Sequence, residues 1–487
     1  MDLLKLQKAK YGLGLNVLFF VTHFLSAQIT APAASDIEVG EIKLSSTSTT
    51  SLFIIRNIFI TGNKKTRPDI LLRELPFKSG DHYNLDVLVK KFELARQQLM
   101  NTALFHEVFV SLKSLEGYNI DILVDVRERW YIFPIPYVKM VYRNINQWLV
   151  EEKGSLRNLD YGLKLMYNNV TGRNDKLNVW LVDGYSRHFS FNYDRIYIGK
   201  SLKWGMAVGF TIGKTKEINY NTAEDKQLLL RDNNSFLRSF VYAKAEITYR
   251  RAIKTRHRFG LSYTAENVED TVISLNPSYF PTGYHRIAFP EIYYTMTYFD
   301  LDYIPYPTRG YAAEFSFSKK GLNNIINVWQ FTVKGSANWH LTPKNYLNLR
   351  SFFTIKLPFK QPYYNKHLLG YGDVFMQGYE YYVIDGVAGG YLKATITREL
   401  FNFKKEYYRK KRDEYFHVPF RVFAKVFGNA GYIHNPQPGE NSLNNKMLYS
   451  AGFGIDILTL YDFTFKLECS FNQLGQNGVF LHRKSYF

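Results

Sequence analysis

The stretch Asp462-Phe463-Thr464-Phe465-Lys466-Leu467-Glu468-Cys469-Ser470-Phe471 decides the fold. Apolar and polar side chains alternate along it without a break. Successive side chains of a β-strand point to opposite faces, so a period of two separates an apolar face from a polar one. Such a strand needs an apolar medium on one side and a wet or polar space on the other, as in the wall of a transmembrane barrel. A half-buried strand of a soluble all-β protein is the simpler alternative. On the barrel reading Cys469, the only cysteine, faces lipid as a small apolar filler.

The pattern recurs upstream. Tyr161, Leu163, Leu165 and Tyr167 alternate with Lys164 and Asn168, and Trp329, Phe331 and Val333 with Gln330, Thr332, Lys334 and Ser336. Sixteen such segments are expected, starting near residues 131, 158, 176, 187, 202, 236, 256, 289, 309, 326, 344, 389, 418, 446, 461 and 478. An even number suits a closed antiparallel barrel. With the first strand starting in the periplasm, the outer connections include 216–235, 268–288, 358–388 and 432–445, all long and polar. The inner ones include 171–175, 199–201, 341–345 and 458–461, all short, which is the asymmetry of outer-membrane barrels. The exception is an inner connection, Lys404 to His417, whose run YYRKKR is read as a solvated face.

Composition agrees. The chain has 487 residues, 38 Tyr and 38 Phe, yet only 46% hydrophobic residues and a mean hydropathy of −0.26. After residue 30 nothing approaches the roughly eighteen uninterrupted apolar residues of a membrane helix. Residues 1–27 have the form of a signal peptide, with Lys5, Lys8 and Lys10 before an apolar run that ends at Leu25-Ser26-Ala27. Residues 28–51, rich in Ser and Thr, read as a flexible tether. One cysteine permits no intramolecular disulfide. The net charge is 62 − 43 = +19. In an exported chain this charge is expected to face phosphate-bearing lipid or acidic proteins, with no nucleic-acid partner.

Between Leu52 and Trp130 the periodicity changes. Ile58 and Ile60 alternate in a strand that ends at the turn pair Gly62-Asn63. Thr66 is expected to cap a short helix bearing Leu71 and Leu75, and Asn84 a second helix with Leu85, Leu88, Phe92, Ala95 and Leu99 on one face. Strands over Phe105–Leu112 and Asn119–Val126 come next.

This segment, FIIRNIFITGNKKTRPDILLRELPFKSGDHYN with its second helix and closing strands, resembles a polypeptide-transport-associated (POTRA) domain. The turn Tyr306-Pro307-Thr308-Arg309-Gly310 resembles the Pro-Thr-Arg-Gly inner turn of the BamA/TamA outer-membrane assembly superfamily. MQGYEYYVIDG, Met376 to Gly386, resembles that family's sixth outer loop, and Phe480 and Phe487 lie in a last strand of the expected type. The resemblance implies an α+β POTRA domain (β-α-α-β-β) at 52–130 and a 16-stranded antiparallel transmembrane β-barrel at 131–487, in the bacterial outer membrane with the POTRA domain periplasmic. It also implies that the barrel parts between its first and last strands, so that client strands pair at an open edge and move into the membrane. Clients, outer-membrane lipid and periplasmic or lipoprotein accessory subunits are the partners this implies. It implies no cofactor and no metal.

One departure stands out. The family's loop tip carries an arginine where this chain has Gln377, between Met376 and Gly378-Tyr379-Glu380. A neutral hydrogen bond is worth about 1 kcal/mol against roughly 1.5–3 for one to a charged group, so the tip is either seated through glycine geometry or its latch is weakened. Gln377→Arg is expected to be tolerated and to tighten the seating. The family's BamA- and TamA-like members also carry several POTRA domains, not one. Both departures favour the alternative of a non-insertase accessory or scaffold barrel. The chain has no G-x-S-x-G elbow, H-E-x-x-H pair or Walker loop, so no catalytic residue is expected.

Overall fold

The computed structural model describes residues 51–140, 159–199, 201–281, 284–322, 325–409 and 414–482. The expected signal peptide, the tether up to residue 50, and Phe487 lie outside them.

Strand β1 (Phe53–Thr61) leads into helix α1 (Pro68–Glu74), a two-residue β2 (His82–Tyr83) and helix α2 (Leu85–Met100). Strands β3 (Phe105–Glu116) and β4 (Asn119–Glu128) complete a sheet of order β2-β1-β4-β3, with β1 parallel to β4. Pro68 suits the first turn of α1, where its missing N–H costs no helical bond. Asn84 caps α2 by accepting the Val87 N–H at 3.0 Å. Leu71, Leu88, Ala95 and Leu99 bury the helices against Ile55, Phe105, Ile122 and Val124 of the sheet. Three details differ from the sequence reading. Thr66 caps nothing in α1, which starts after Arg67 with no side-chain cap. Leu75 is the buried C-cap of α1, outside the helix proper. Leu85, at the first turn of α2, is 46% exposed because the buried stripe begins one turn later.

Among the described residues sixteen strands form one antiparallel sheet in chain order. They begin with β5 (Ile132–Met140), β6 (Leu159–Asn168), β7 (Lys176–Gly184), β8 (Ser186–Ile198) and β9 (Trp204–Thr215). A separate hairpin, β10 (Glu217–Ala223) and β11 (Lys226–Arg231), intervenes. The wall resumes with β12 (Arg238–Tyr249), β13 (Thr255–Val268), β14 (Arg286–Leu301), β15 (Gly310–Lys320), β16 (Val328–Thr342) and β17 (Asn345–Leu357). It ends with β18 (Ala388–Arg409), β19 (Glu414–His434), β20 (Met447–Leu458), β21 (Thr464–Asn472) and β22 (Asn477–His482). Every observed start falls within four residues of its expected position, β19 being furthest at 414 against 418. Among the described residues, β5 pairs only with β6 and β22 only with β21.

Alternation sets the faces. On β21, Phe465, Leu467 and Phe471 are 45–50% exposed, whereas Thr464, Lys466, Glu468 and Ser470 are buried. A polar interior behind an apolar exterior is the inverse of a soluble core, and it is the arrangement lipid requires.

The connections correct one expectation. Residues 404–409 and 414–417 are strand, because β18 and β19 pair as far as Arg409↔Glu414. Alternating aromatics at Phe401 and Phe403, and Phe416 across from Tyr407, carry the strand pattern through the charge run. The long outer connections also carry secondary structure of their own. The β10–β11 hairpin, a short helix at Asp270–Leu275 and Tyr363 pack around Val272, Tyr279 and Phe280. Asp225, at the hairpin tip, accepts the Ser442 N–H at 3.0 Å and the Leu443 N–H at 3.1 Å, which ties distant loops together.

On the side of the short turns, the N-terminal domain is bonded to the barrel at several points. Arg129 donates to Asp462 at 2.6 and 3.1 Å. Arg250 donates to both oxygens of the buried Glu74 at 2.6 and 2.7 Å. Asn101, the C-cap of α2, donates to Leu301 O at 3.0 Å and accepts from Ile304 N at 2.9 Å. Thr66, freed from capping, bonds the Tyr131 hydroxyl at 3.1 Å and accepts from Asn169 at 2.9 Å.

Candidate functional site

The tip Met376-Gln377-Gly378-Tyr379-Glu380 lies against the last strands of the wall. Met376 and Tyr379 are the buried side chains, 0% and 1% exposed, set among Ile384, Ile433, Leu443 and Leu448. The Tyr379 hydroxyl donates to Tyr449 O at 3.1 Å on β20, and Asn472, the last residue of β21, donates to Gly378 O at 2.7 Å. Gly378 has φ +88°, and a Cβ there would lie 2.8 Å from the Ser450 Cβ. Only glycine adopts that conformation freely with the wall so close. Its N–H donates to Glu380 at 2.8 Å, which closes the tip on itself. Lys393 of β18 adds a bond to Phe375 O at 2.7 Å.

Gln377 is the odd member. Its Oε1 is buried with no hydrogen-bond partner among the described residues. It shares a lumen pocket with Lys425, Asp456, Lys466 and Glu468. The acids that a loop cation could meet are therefore present, and Lys425 Nζ already holds Asp456 and Glu468, each at 2.5 Å.

The inner turn is a structural clasp. Asp302 accepts the Thr308 N–H at 3.0 Å and the Arg309 N–H at 3.1 Å, and its own N–H donates to Arg309 O at 3.1 Å. Pro307 precedes this clasp. Gly310 has φ +106° and approaches Asp300 O so closely that a Cβ would sit 2.0 Å from it. Tyr306 stacks on Phe423 at 4.4 Å and donates to Asp456 at 3.0 Å, which connects this turn to the acid beneath the loop tip. Gly62 turns beneath Val126, where a Cβ would be 1.9 Å from a carbonyl oxygen, and Asn63 donates to Thr66 O at 3.0 Å. Phe480 faces the lumen side of β22, edge-on to Tyr381 at 5.2 Å.

The ends of the sheet supply a feature that motif reading passed over. Strand β5 contains Pro134 and Pro136, two residues apart and paired opposite Leu165 and Leu163. Same-parity residues of an antiparallel strand direct their N–H groups to the same side. Prolines have no N–H and occupy ladder positions whose nitrogen faces no partner, so both are assigned to the free edge. That edge lacks two donors over its described length. The signal was visible as Phe-Pro-Ile-Pro-Tyr, but only pairing shows which side of the strand is open.

The POTRA family model, described as surface antigen variable number repeat, matches residues 53–129. No curated protein matches the chain. Among solved structures, CdiB from Escherichia coli is 11% identical at a TM-score of 0.51, over 89% of this chain and 74% of that one. BamA from Haemophilus ducreyi lacking POTRA domains 1–3 is 16% identical at a TM-score of 0.48, over 88% and 83%. CdiB from Acinetobacter baumannii is 10% identical at 0.48, over 87% and 71%. The E. coli CdiB likeness shows the fold, and the apolar exterior of the sixteen strands places that fold in a membrane. Residues 53–129 thus match the POTRA family, and among the described residues they are followed by a sixteen-stranded antiparallel sheet whose fold is similar to that of the E. coli CdiB structure.

Proposed function

We propose that this protein assembles or translocates other proteins at the outer membrane by lending strand edges to them. The observation that carries the reading is the pair of sheet ends. Strands β5 and β22 each have one partner among the described residues, and the two prolines leave the β5 edge short of donors. Such an edge can part at low cost and still offer carbonyl acceptors to an incoming strand. A client strand must have its backbone groups paired before it meets lipid, so temporary pairing at an edge is the service such a barrel provides. No nucleotide or catalytic side chain is needed. Among the described residues strand β3 pairs as a strand only with β4, and Phe109 and Leu112 are exposed on it. It suits β-addition by clients or accessory subunits. The described loop-tip contacts with β20 and β21 support a role for Met376–Glu380 in bracing the wall near its last strand.

The test is crosslinking from Tyr137→Cys on β5, with captured proteins identified. Nascent barrel or exported chains are expected. Capturing none, with the barrel folded, overturns the reading. The scaffold alternative draws on the missing loop arginine, and it predicts unchanged levels of every outer-membrane protein after depletion.

A further inference from the structure

We propose that Glu380, Glu468 and His482 form a binding site for a divalent transition-metal ion of the zinc class. The three come from the loop tip, from β21 and from the last described position of β22, and their ligand atoms lie within 4.8 Å of one another. His482 Nε2 is 3.4 Å from Glu380 Oε1 and 3.3 Å from Glu468 Oε2. Ligands bound at about 2.0–2.1 Å around tetrahedral zinc stand roughly 3.3–3.4 Å apart, so both separations are tetrahedral edges. One imidazole and two carboxylates leave a fourth position for water, and this donor set suits zinc and its neighbours better than calcium or magnesium.

The carboxylates are oriented by contacts on their other oxygens. Glu380 Oε2 accepts the Gly378 N–H at 2.8 Å, and Glu468 Oε1 accepts from Lys425 at 2.5 Å. Each thereby turns its remaining oxygen toward His482. Such outer contacts are what fix metal ligands in place. The Glu468 side chain is 2% exposed, and among the described residues its Oε2 accepts no hydrogen bond. The Phe375 ring stacks on His482 at 4.8 Å and limits the ring's rotation. Lys425 is already shared between Asp456 and the far oxygen of Glu468, and Lys393 and Lys466 line the same pocket. The competing account is a protonated His482 bridging two carboxylates, which requires no ion.

A bound ion would tie the free-edge strand β22 to the loop tip and the wall. That consequence rests on the seam reading above, whereas the binding does not. The test uses the untagged full chain in detergent at pH 8, where an ordinary imidazole is neutral, with Zn²⁺ alone as the probe. Equilibrium dialysis with metal analysis is expected to give a single tightly held ion per chain. Glu380→Gln and His482→Asn should each weaken it by about tenfold or more. His434→Asn, at a half-buried histidine bonded to Asn445, should leave it unchanged. Glu380→Gln lies in a loop and keeps the test valid if the His482 variant does not fold. A folded wild type that holds no Zn²⁺, or binding by both ligand variants equal to wild type, overturns the proposal. Zinc binding combined with no client captured at Tyr137→Cys would instead sink the seam reading alone.

Discussion

Lys425 Nζ lies 2.5 Å from Glu468 Oε1, with both side chains at most 4% exposed, and Lys425 reaches Asp456 at the same distance. The cation that meets the lumen acids therefore comes from strand β19, not from the loop. This changes what Gln377→Arg should do. An arginine would enter a pocket whose acids are already paired, so no gain in melting temperature is expected. Lys425→Met should cost about 3–5 kcal/mol, because removing one partner leaves buried charges uncompensated. In that background Gln377→Arg should recover a measurable part of the loss. A double-mutant cycle on thermal unfolding in detergent reads this coupling, and strict additivity would show that position 377 does not reach the acids.

Replacing Pro134 and Pro136 together by valine returns two N–H donors to the β5 edge. Each donor, once paired, is worth about 0.5–1.5 kcal/mol. The melting temperature should rise, and client assembly in proteoliposomes should slow. Unaltered rates in a folded variant would mean that this edge is not where clients enter.

Burial by itself would raise the carboxyl of Glu74, but Arg250 and Arg73 hold it below the usual carboxylate range. A depressed carboxylate contributes stability that is fully present above its unfolded value of about 4.3 and is lost as pH falls through the folded value. Docking of the POTRA domain should thus be insensitive to pH near neutrality and loosen below about pH 4. Limited proteolysis at the junction checks it. Glu74→Gln should cost about 3 kcal/mol or more and flatten the acid-dependent step, since Arg250 then lacks its buried partner.

Gly378→Ala forces a left-handed backbone on a residue with a Cβ and presses it toward Ser450. The conformation alone costs about 1–2 kcal/mol. The loop tip should become accessible to protease while the barrel remains folded and heat-modifiable. Protection equal to wild type would show that the seat tolerates the added atom.

Much of the architecture was legible because it depends on local periodicity. The alternation Phe463 to Phe471 determined which side chains face lipid, and the same pattern placed the start of each barrel strand within four residues. Asn84 announced its helix because a cap is a contact between near neighbours. Thr66 misled because its hydroxyl is taken by Tyr131 and Asn169, far along the chain. The charge run near Arg409 hid the full extent of β18 and β19 because charge indicates solvent, not backbone conformation.

The loop tip divides in the same way. Gly378 and Tyr379 could be singled out from the order of residues, yet nothing in that order places Lys425 between Asp456 and Glu468, or brings Glu380 to His482. Period-two patterning is written residue by residue, so the sequence alone determined a barrel wall with a small α+β domain before it. Which charges meet in the lumen, and which residues stand opposite one another, depends on register between strands tens to hundreds of residues apart. Only the tertiary structure decided those, because hydrogen-bond registry across the sheet sets which side chains share a level inside the wall.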